Sequence, residues 1–291
     1  MHRKLIALAL CLLALAACKK KEEPAPEPAP TATQAAPAPA PEPAPKTATP
    51  QPTVTLAAGA PIPAQGVALW LIADDAQPGK LASWTNSAVA GVTATAAKPE
   101  EQPEVVAKAM GGHNVVRFDG EQNMLMTNVD ISPARMPEAT VFAVFSSKTD
   151  AKEPLRKLYG DDNGGYDRAA GLDGRSEKNY NAFTGNGVAG YFDLKANESY
   201  ITADVYGSND FTGFVNGKKT VDKVAAAWGA GPDDALPNLY IGGTGTVYHE
   251  PWQGDLAEII VYGRILNDQE RMQVEDYLAK KYGITIARPS S

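Results

Sequence analysis

Phe211-Thr-Gly-Phe-Val-Asn216-Gly217-Lys-Lys-Thr-Val221 is the stretch on which the fold turns. Two short runs with Phe and Val flank Asn216-Gly217, a dipeptide that readily supplies the two positive φ angles of a tight hairpin turn. The stretch predicts two antiparallel strands. Outward from it, strand-like runs recur at Val67–Ala73, Asn114–Phe118, Ala139–Phe145, Tyr200–Val205, Thr212–Val215, Asn238–Ile241 and Asp255–Tyr262. Turn formers such as Asp119-Gly120 and Asn163-Gly164-Gly165 separate them. Many short strands with turns between them predict an all-β fold, an antiparallel β-sandwich, and no internal repeat is visible. One helix is marked near the end. Asn267 can cap it, Glu270 completes a capping box, and Gly283 stops it. Val274, Tyr277, Leu278 and Tyr282 share one face at helical spacing, so the helix is expected to pack over the sandwich.

The N-terminus sets the compartment. His2, Arg3 and Lys4 precede thirteen apolar residues, 5–17 (LIALALCLLALAA), fewer than the ~20 that a membrane-spanning helix needs. A basic start, a short apolar core and small residues at its end describe a secretory signal peptide over residues 1–17. Leu15-Ala16-Ala17-Cys18 matches the lipobox of bacterial lipoproteins, which implies that Cys18 is acylated and becomes the membrane anchor. Cys11 and Cys18 are the only cysteines. The exported domain therefore has no disulfide, no Cys nucleophile and no Cys-ligated zinc.

Residues 18–63 are expected to form a disordered Pro/Ala-rich linker. Between Pro24 and Pro63 lie thirteen of the twenty-three prolines, which favour extended polyproline II backbone. At about 3.1 Å per residue such a spacer reaches on the order of 100 Å. In the sorting rule of bacterial lipoproteins an Asp after the lipidated Cys signals inner-membrane retention. Lys19 stands there, so the outer membrane is the expected location within the cell envelope. Residues 64–291 are then one domain with a charge near −9. That acidity argues against a nucleic-acid partner, which wants a basic face.

Several motifs together resemble one family. Gly66-Val-Ala-Leu-Trp-Leu-Ile-Ala-Asp74, Trp84-Thr-Asn-Ser87, Val115-Val-Arg-Phe-Asp-Gly120 with Met124-Leu125, Phe214-Val-Asn-Gly217, and Trp252-Gln-Gly-Asp-Leu-Ala-Glu-Ile-Ile-Val-Tyr262 with Leu266-Asn-Asp-Gln-Glu270 occur in order. Their order and spacing resemble bacterial laminin G-like domains, within the concanavalin A-like jelly rolls. The resemblance spans nearly all of residues 64–285 and implies glycan binding, protein adhesion or a structural role, since this fold serves all three.

The catalytic motifs of related jelly-roll glycosidases place acids two apart on one strand face. Asp255 and Glu258 are three apart, so on a regular strand they are expected to point to opposite faces. His113 and His249 have no second His or Ser motif nearby, and Gly242-Gly243-Thr244-Gly245 reads as a turn. No enzyme is therefore expected. Gly160-Asp161-Asp162-Asn163-Gly164-Gly165-Tyr166-Asp167, with Asp173, could hold Ca²⁺ through Asp161, Asp162, Asn163, Asp167 and Asp173. The same residue types also make ordinary turns. Sugar rings stack on exposed aromatics, and Tyr166, Tyr180 and Tyr248 lie in Gly/Asn/Asp-rich segments, so these three are the ligand candidates. Trp252 and Tyr262 are expected in the core. A glycan- or protein-binding module leads, a structural accessory of a surface assembly follows, and a polysaccharide-active enzyme comes last.

Overall fold

The computed structural model describes residues 54–133, 135–161, 168–185, 187–228, 238–245 and 248–288. The predicted signal peptide, Cys18 and most of the predicted linker lie outside the described residues. The strands are, in chain order, β1 (Val54–Thr55), β2 (Gln65–Ile72), β3 (Gly79–Lys80), β4 (Ser83–Thr85), β5 (Thr93–Thr95) and β6 (Glu104–Met110). There follow β7 (His113–Asp119), β8 (Leu125–Thr127), β9 (Ala139–Ser147), β10 (Arg156–Gly160), β11 (Ala169–Leu172) and β12 (Tyr180–Phe183). The last six are β13 (Val188–Phe192), β14 (Ser199–Tyr206), β15 (Asp210–Val215), β16 (Lys218–Ala225), β17 (Tyr240–Ile241) and β18 (Gln253–Tyr262), before helix α1 (Asp268–Tyr282).

Two antiparallel sheets form a sandwich. The first runs β16-β15-β14-β9-β18-β7-β6-β3, with β2 also beside β18 and β1 beside β2. The second runs β13-β12-β11-β10-β17-β8-β5-β4. The hairpin that opened the argument joins β15 to β16, with φ of 47° at Asn216 and 76° at Gly217. Only Gly fits there, because a Cβ on Gly217 would lie 2.3 Å from the Ala287 carbonyl oxygen.

β18 is the spine of the first sheet. β9 flanks it along nearly its whole length, while β7 pairs with its first half and β2 with its second. Leu256, Ile259 and Val261 enter the core between the sheets. Ala257, Ile260 and Tyr262 face the other way, into an apolar layer completed by Val274, Leu278 and Tyr282 of α1. Burial on both faces explains the near-continuous apolar run Leu256–Tyr262. The helix has the predicted caps. Glu270 N–H donates to the Asn267 side chain at 2.9 Å, Asn267 N–H donates to the Glu270 carboxylate at 3.0 Å, and Gly283 closes the helix at φ 68°.

The sandwich begins earlier than residue 64. Val54 pairs with Val67, and Ile62 is buried beside the layer under α1. Pro61 and Pro63 give this segment the composition of the linker, which hides an ordered strand and a core residue from composition.

A polar cluster lies between the sheets. The Tyr159 hydroxyl donates to Asp204 and shares a 2.8 Å hydrogen bond with the Tyr206 hydroxyl. Tyr191 donates to the carbonyls of Ala203 at 3.1 Å and Phe214 at 2.7 Å. Burial pushes the Asp204 carboxyl up to about 7, against the opposing pull of the Tyr159 and Tyr191 hydroxyls. The folded state therefore keeps a proton that the unfolded chain has released, so stability falls as pH rises from about 4 towards 7. The slope approaches ~1.4 kcal/mol per pH unit. Asp204→Asn should remove this loss. Urea unfolding between pH 4 and 8 checks it, and parallel curves for the two proteins would show that Asp204 does not titrate in the fold.

Candidate functional site

Glu258 organises the outer face of the first sheet. Its carboxylate is fully buried and accepts from Trp70 Nε1 at 2.6 Å, the Tyr282 hydroxyl at 2.8 Å, Lys281 Nζ at 2.8 Å and the Tyr277 hydroxyl at 3.4 Å. Three of those donors belong to α1. Burial and the Glu258 charge push both phenols far above the usual tyrosine range, so they stay neutral and donate.

A β-bulge puts Glu258 there. The register against β9 shifts between Leu256 and Glu258, so one extra residue, Ala257, enters β18. Asp255 and Glu258 consequently point to the same outer face, which corrects the expectation of opposite faces. They do not form an open pair. Asp255 is gripped by Arg117, at 2.7 and 2.9 Å, with Lys148 Nζ at 3.3 Å, while Glu258 lies beneath the helix.

Beside this network, Asp74 accepts from Asn114 N–H at 2.8 Å and lies 2.7 Å from His113 Nδ1. Burial opposes its ionisation, but those two partners hold its carboxyl below the usual range. The His113 ring meets the Tyr282 ring edge-on at 5.1 Å, and Tyr277 meets Trp70 at 6.2 Å. His113 and the partly exposed Tyr277 thereby line a groove of about 560 Å³ with Pro61, Gln273, Asp276, Lys280 and Lys281. An aromatic floor with an amide, a carboxylate and two ammonium groups around it can stack on a sugar ring and bond its hydroxyls. Both rings are held from below by hydrogen bonds, so the surface is formed before a ligand arrives.

The predicted ligand tyrosines fare differently. Tyr180 is fully buried, packed on Phe145 at 5.3 Å and Phe192 at 4.8 Å, so it offers no surface to a sugar. This corrects its assignment: on β12, Tyr180 pairs with Leu172 and Phe192 and shares their inward face. Tyr248 is 50% exposed, on the turn where His249 Nε2 lies 2.7 Å from the Glu121 carbonyl. Tyr166 lies outside the described residues, as do Asp162, Asn163 and Asp167 of the predicted Ca²⁺ loop. Asp161 is buried and accepts Arg168 N–H at 2.9 Å. Asp173 is removed from the metal set, because Lys157 lies 2.7 Å and Arg175 2.5 Å from its carboxylate. Burial alone would raise that carboxyl, yet Arg175 and Lys157 bring it down to about 2. Two cations already occupy the place a dication would take. Trp252 and Tyr262 are in the core as expected. Sequence reasoning missed Tyr277 and His113 as surface partners, since Tyr277 lies in the apolar stripe of the helix and His113 has no motif around it.

No protein-family profile matches this sequence, and no curated protein does. Solved structures match in fold. A Trypanosoma rangeli sialidase in complex with sialic acid has a TM-score of 0.52 at 16% identity, over 74% of this chain and 33% of that one. A mutant of that sialidase displaying trans-sialidase activity also has a TM-score of 0.52 at 16% identity, over 81% and 37%. Domain 4 of AbnA, an extracellular arabinanase of Geobacillus stearothermophilus, in complex with arabinotriose, has a TM-score of 0.50 at 11% identity, over 72% and 97%. The chain thus spans about a third of the length of the sialidases it matches. These matches overturn the expectation that the chain is no enzyme, because sialidases carry this sandwich.

Replacing Glu258 with Ala should cost about 3–5 kcal/mol, since Lys281, the Trp70 indole and the buried Tyr282 hydroxyl lose their acceptor. Glu258→Gln should cost less. Urea unfolding of the three proteins measures this. An unchanged midpoint for Glu258→Ala would mean that the apolar stripe alone holds the helix.

Proposed function

We propose that this protein is a lipoprotein of the bacterial cell envelope whose laminin G-like domain binds a glycan on the Tyr277–His113 groove. The observation that carries this reading is the groove itself: a partly exposed aromatic ring, immobilised from below and rimmed by Gln273, Asp276, Lys280 and Lys281. Aromatic stacking and a polar rim are what distinguish a sugar from a purely apolar ligand. The arabinanase domain supports the reading, because a free-standing domain of like fold has been captured with an oligosaccharide. Leu15-Ala16-Ala17-Cys18 supports acylation of Cys18, Lys19 supports the outer membrane, and the prolines from Pro24 to Pro52 support a spacer that holds the domain off the lipid.

Full-length protein in detergent, applied to an array of neutral and acidic oligosaccharides, tests the binding. Tyr277→Ala should weaken retention on the bound glycans about tenfold, the worth of a lost stacking contact. A blank array would overturn the reading, and a Tyr277→Ala pattern equal to the wild type would overturn the site. Cells given a labelled fatty acid should label the wild-type protein and not Cys18→Ala. Label retained by that variant would overturn the anchor.

A further inference from the structure

His113 and Arg117 are four residues apart on β7 and share its outer face, about 13 Å from one another. At Arg117 lies a second groove, of about 290 Å³, lined by Lys80, Glu104, Asn123, Lys148 and Gln253 among others. We propose that this groove binds the carboxylate of an acidic sugar, with the Arg117 guanidinium as its main partner. The proposal deepens the glycan-binding reading and rests on it for the choice of a sugar as the ligand.

The geometry of Arg117 carries the argument. Its Nε and Nη2 donate to Asp255 at 2.7 and 2.9 Å, and the Asp255 side chain is only 4% exposed. One edge of the guanidinium is thereby locked to a buried carboxylate. Nη1 has no acceptor among the described residues, and the side chain is 38% exposed. A planar fork with one edge held and the other open is prepared for a carboxylate, which it can meet without losing further side-chain freedom.

The charges around it point the same way. Lys148 Nζ stands 3.3 Å from Asp255 and is also 38% exposed, while Lys80 Nζ bonds the Gln102 carbonyl at 3.2 Å. Three cations thus converge in a domain whose net charge is near −9. The acids in the groove are largely committed. Asp255 is spent on Arg117 and Lys148, and Asp119 Oδ1 accepts the backbone N–H groups of Glu121, Gln122 and Asn123. Glu104, opposite Arg117 in the β6–β7 register, is left to compete with an incoming anion.

Calorimetric titration of the full-length protein in detergent with sodium glucuronate and with glucose tests this. Glucuronate should bind and glucose should not, and added salt should weaken the binding by screening. Arg117→Gln should weaken glucuronate at least tenfold and Lys148→Gln less. Glu104→Gln should tighten it several-fold, a gain that a purely structural ion pair would not produce. Lys223→Gln, on β16, should bind as the wild type does. If Arg117→Gln fails to fold, opposite shifts in Lys148→Gln and Glu104→Gln still carry the proposal. Equal binding of the two sugars, no glucuronate binding at millimolar concentration, or a folded Arg117→Gln that binds normally would overturn it. Glucuronate bound through Arg117 with no glycan retained through Tyr277 would sink the Tyr277–His113 site and leave this one standing. The reverse result would do the opposite.

Discussion

A buried carboxylate cannot stay charged in a protein interior unless donors surround it. Glu258 meets that demand with Trp70 from β2 and with Tyr277, Lys281 and Tyr282 from α1, so satisfying one side chain docks a whole helix. The bulge at Ala257 is what brings Glu258 under the helix, and the capping box and Gly283 set the helix length that makes those three donors coincide. Val274 and Leu278 add apolar contact to the same docking. Polar and apolar contributions here are not alternatives: the apolar layer excludes water, and the absence of water makes the Glu258 bonds directional and strong.

The docked helix divides the outer face of the first sheet. Under α1 the face is closed, apolar around the single carboxylate of Glu258. On β7 Val115 is buried in that same layer, and the partly exposed His113 and Arg117 on either side of it present an imidazole and a guanidinium. Each of these is oriented by a carboxylate, Asp74 for His113 and Asp255 for Arg117. Tyr277 is oriented by Glu258 in the same way. Asp74, Asp255 and Glu258 thus orient the side chains that this face presents.

The first sheet was largely legible in the sequence and the second was not. β2, β7, β9, β14, β15 and β18 carry Val, Ile, Leu and aromatic residues in runs that read as strands. β11 is Ala-Ala-Gly-Leu and β12 is Tyr-Asn-Ala-Phe, short and poor in β-branched residues. Gly171 and Asn181 face one another on the outer side, where bulk is excluded: a Cβ on Gly171 would lie 2.1 Å from the Arg156 carbonyl oxygen. Such strands exist because their neighbours hold them, and nothing local announces them. The same blindness misplaced Tyr180, whose Gly/Asn-rich surroundings belong to a packed sheet.

By itself the sequence determined what depends on near neighbours along the chain: the Asn216-Gly217 turn, the caps of α1 and the all-β class. Those follow from backbone preference and from hydrophobic spacing over a few residues. Only the tertiary structure decided which polar groups are buried and which face outward. Asp255 and Glu258 came to one face through a bulge, Asp173 was claimed by Lys157 and Arg175, and Tyr277 and His113, 164 residues apart in the sequence, came to line one groove. Exposure and partnership are set by which distant segments pack together, and no local pattern encodes that.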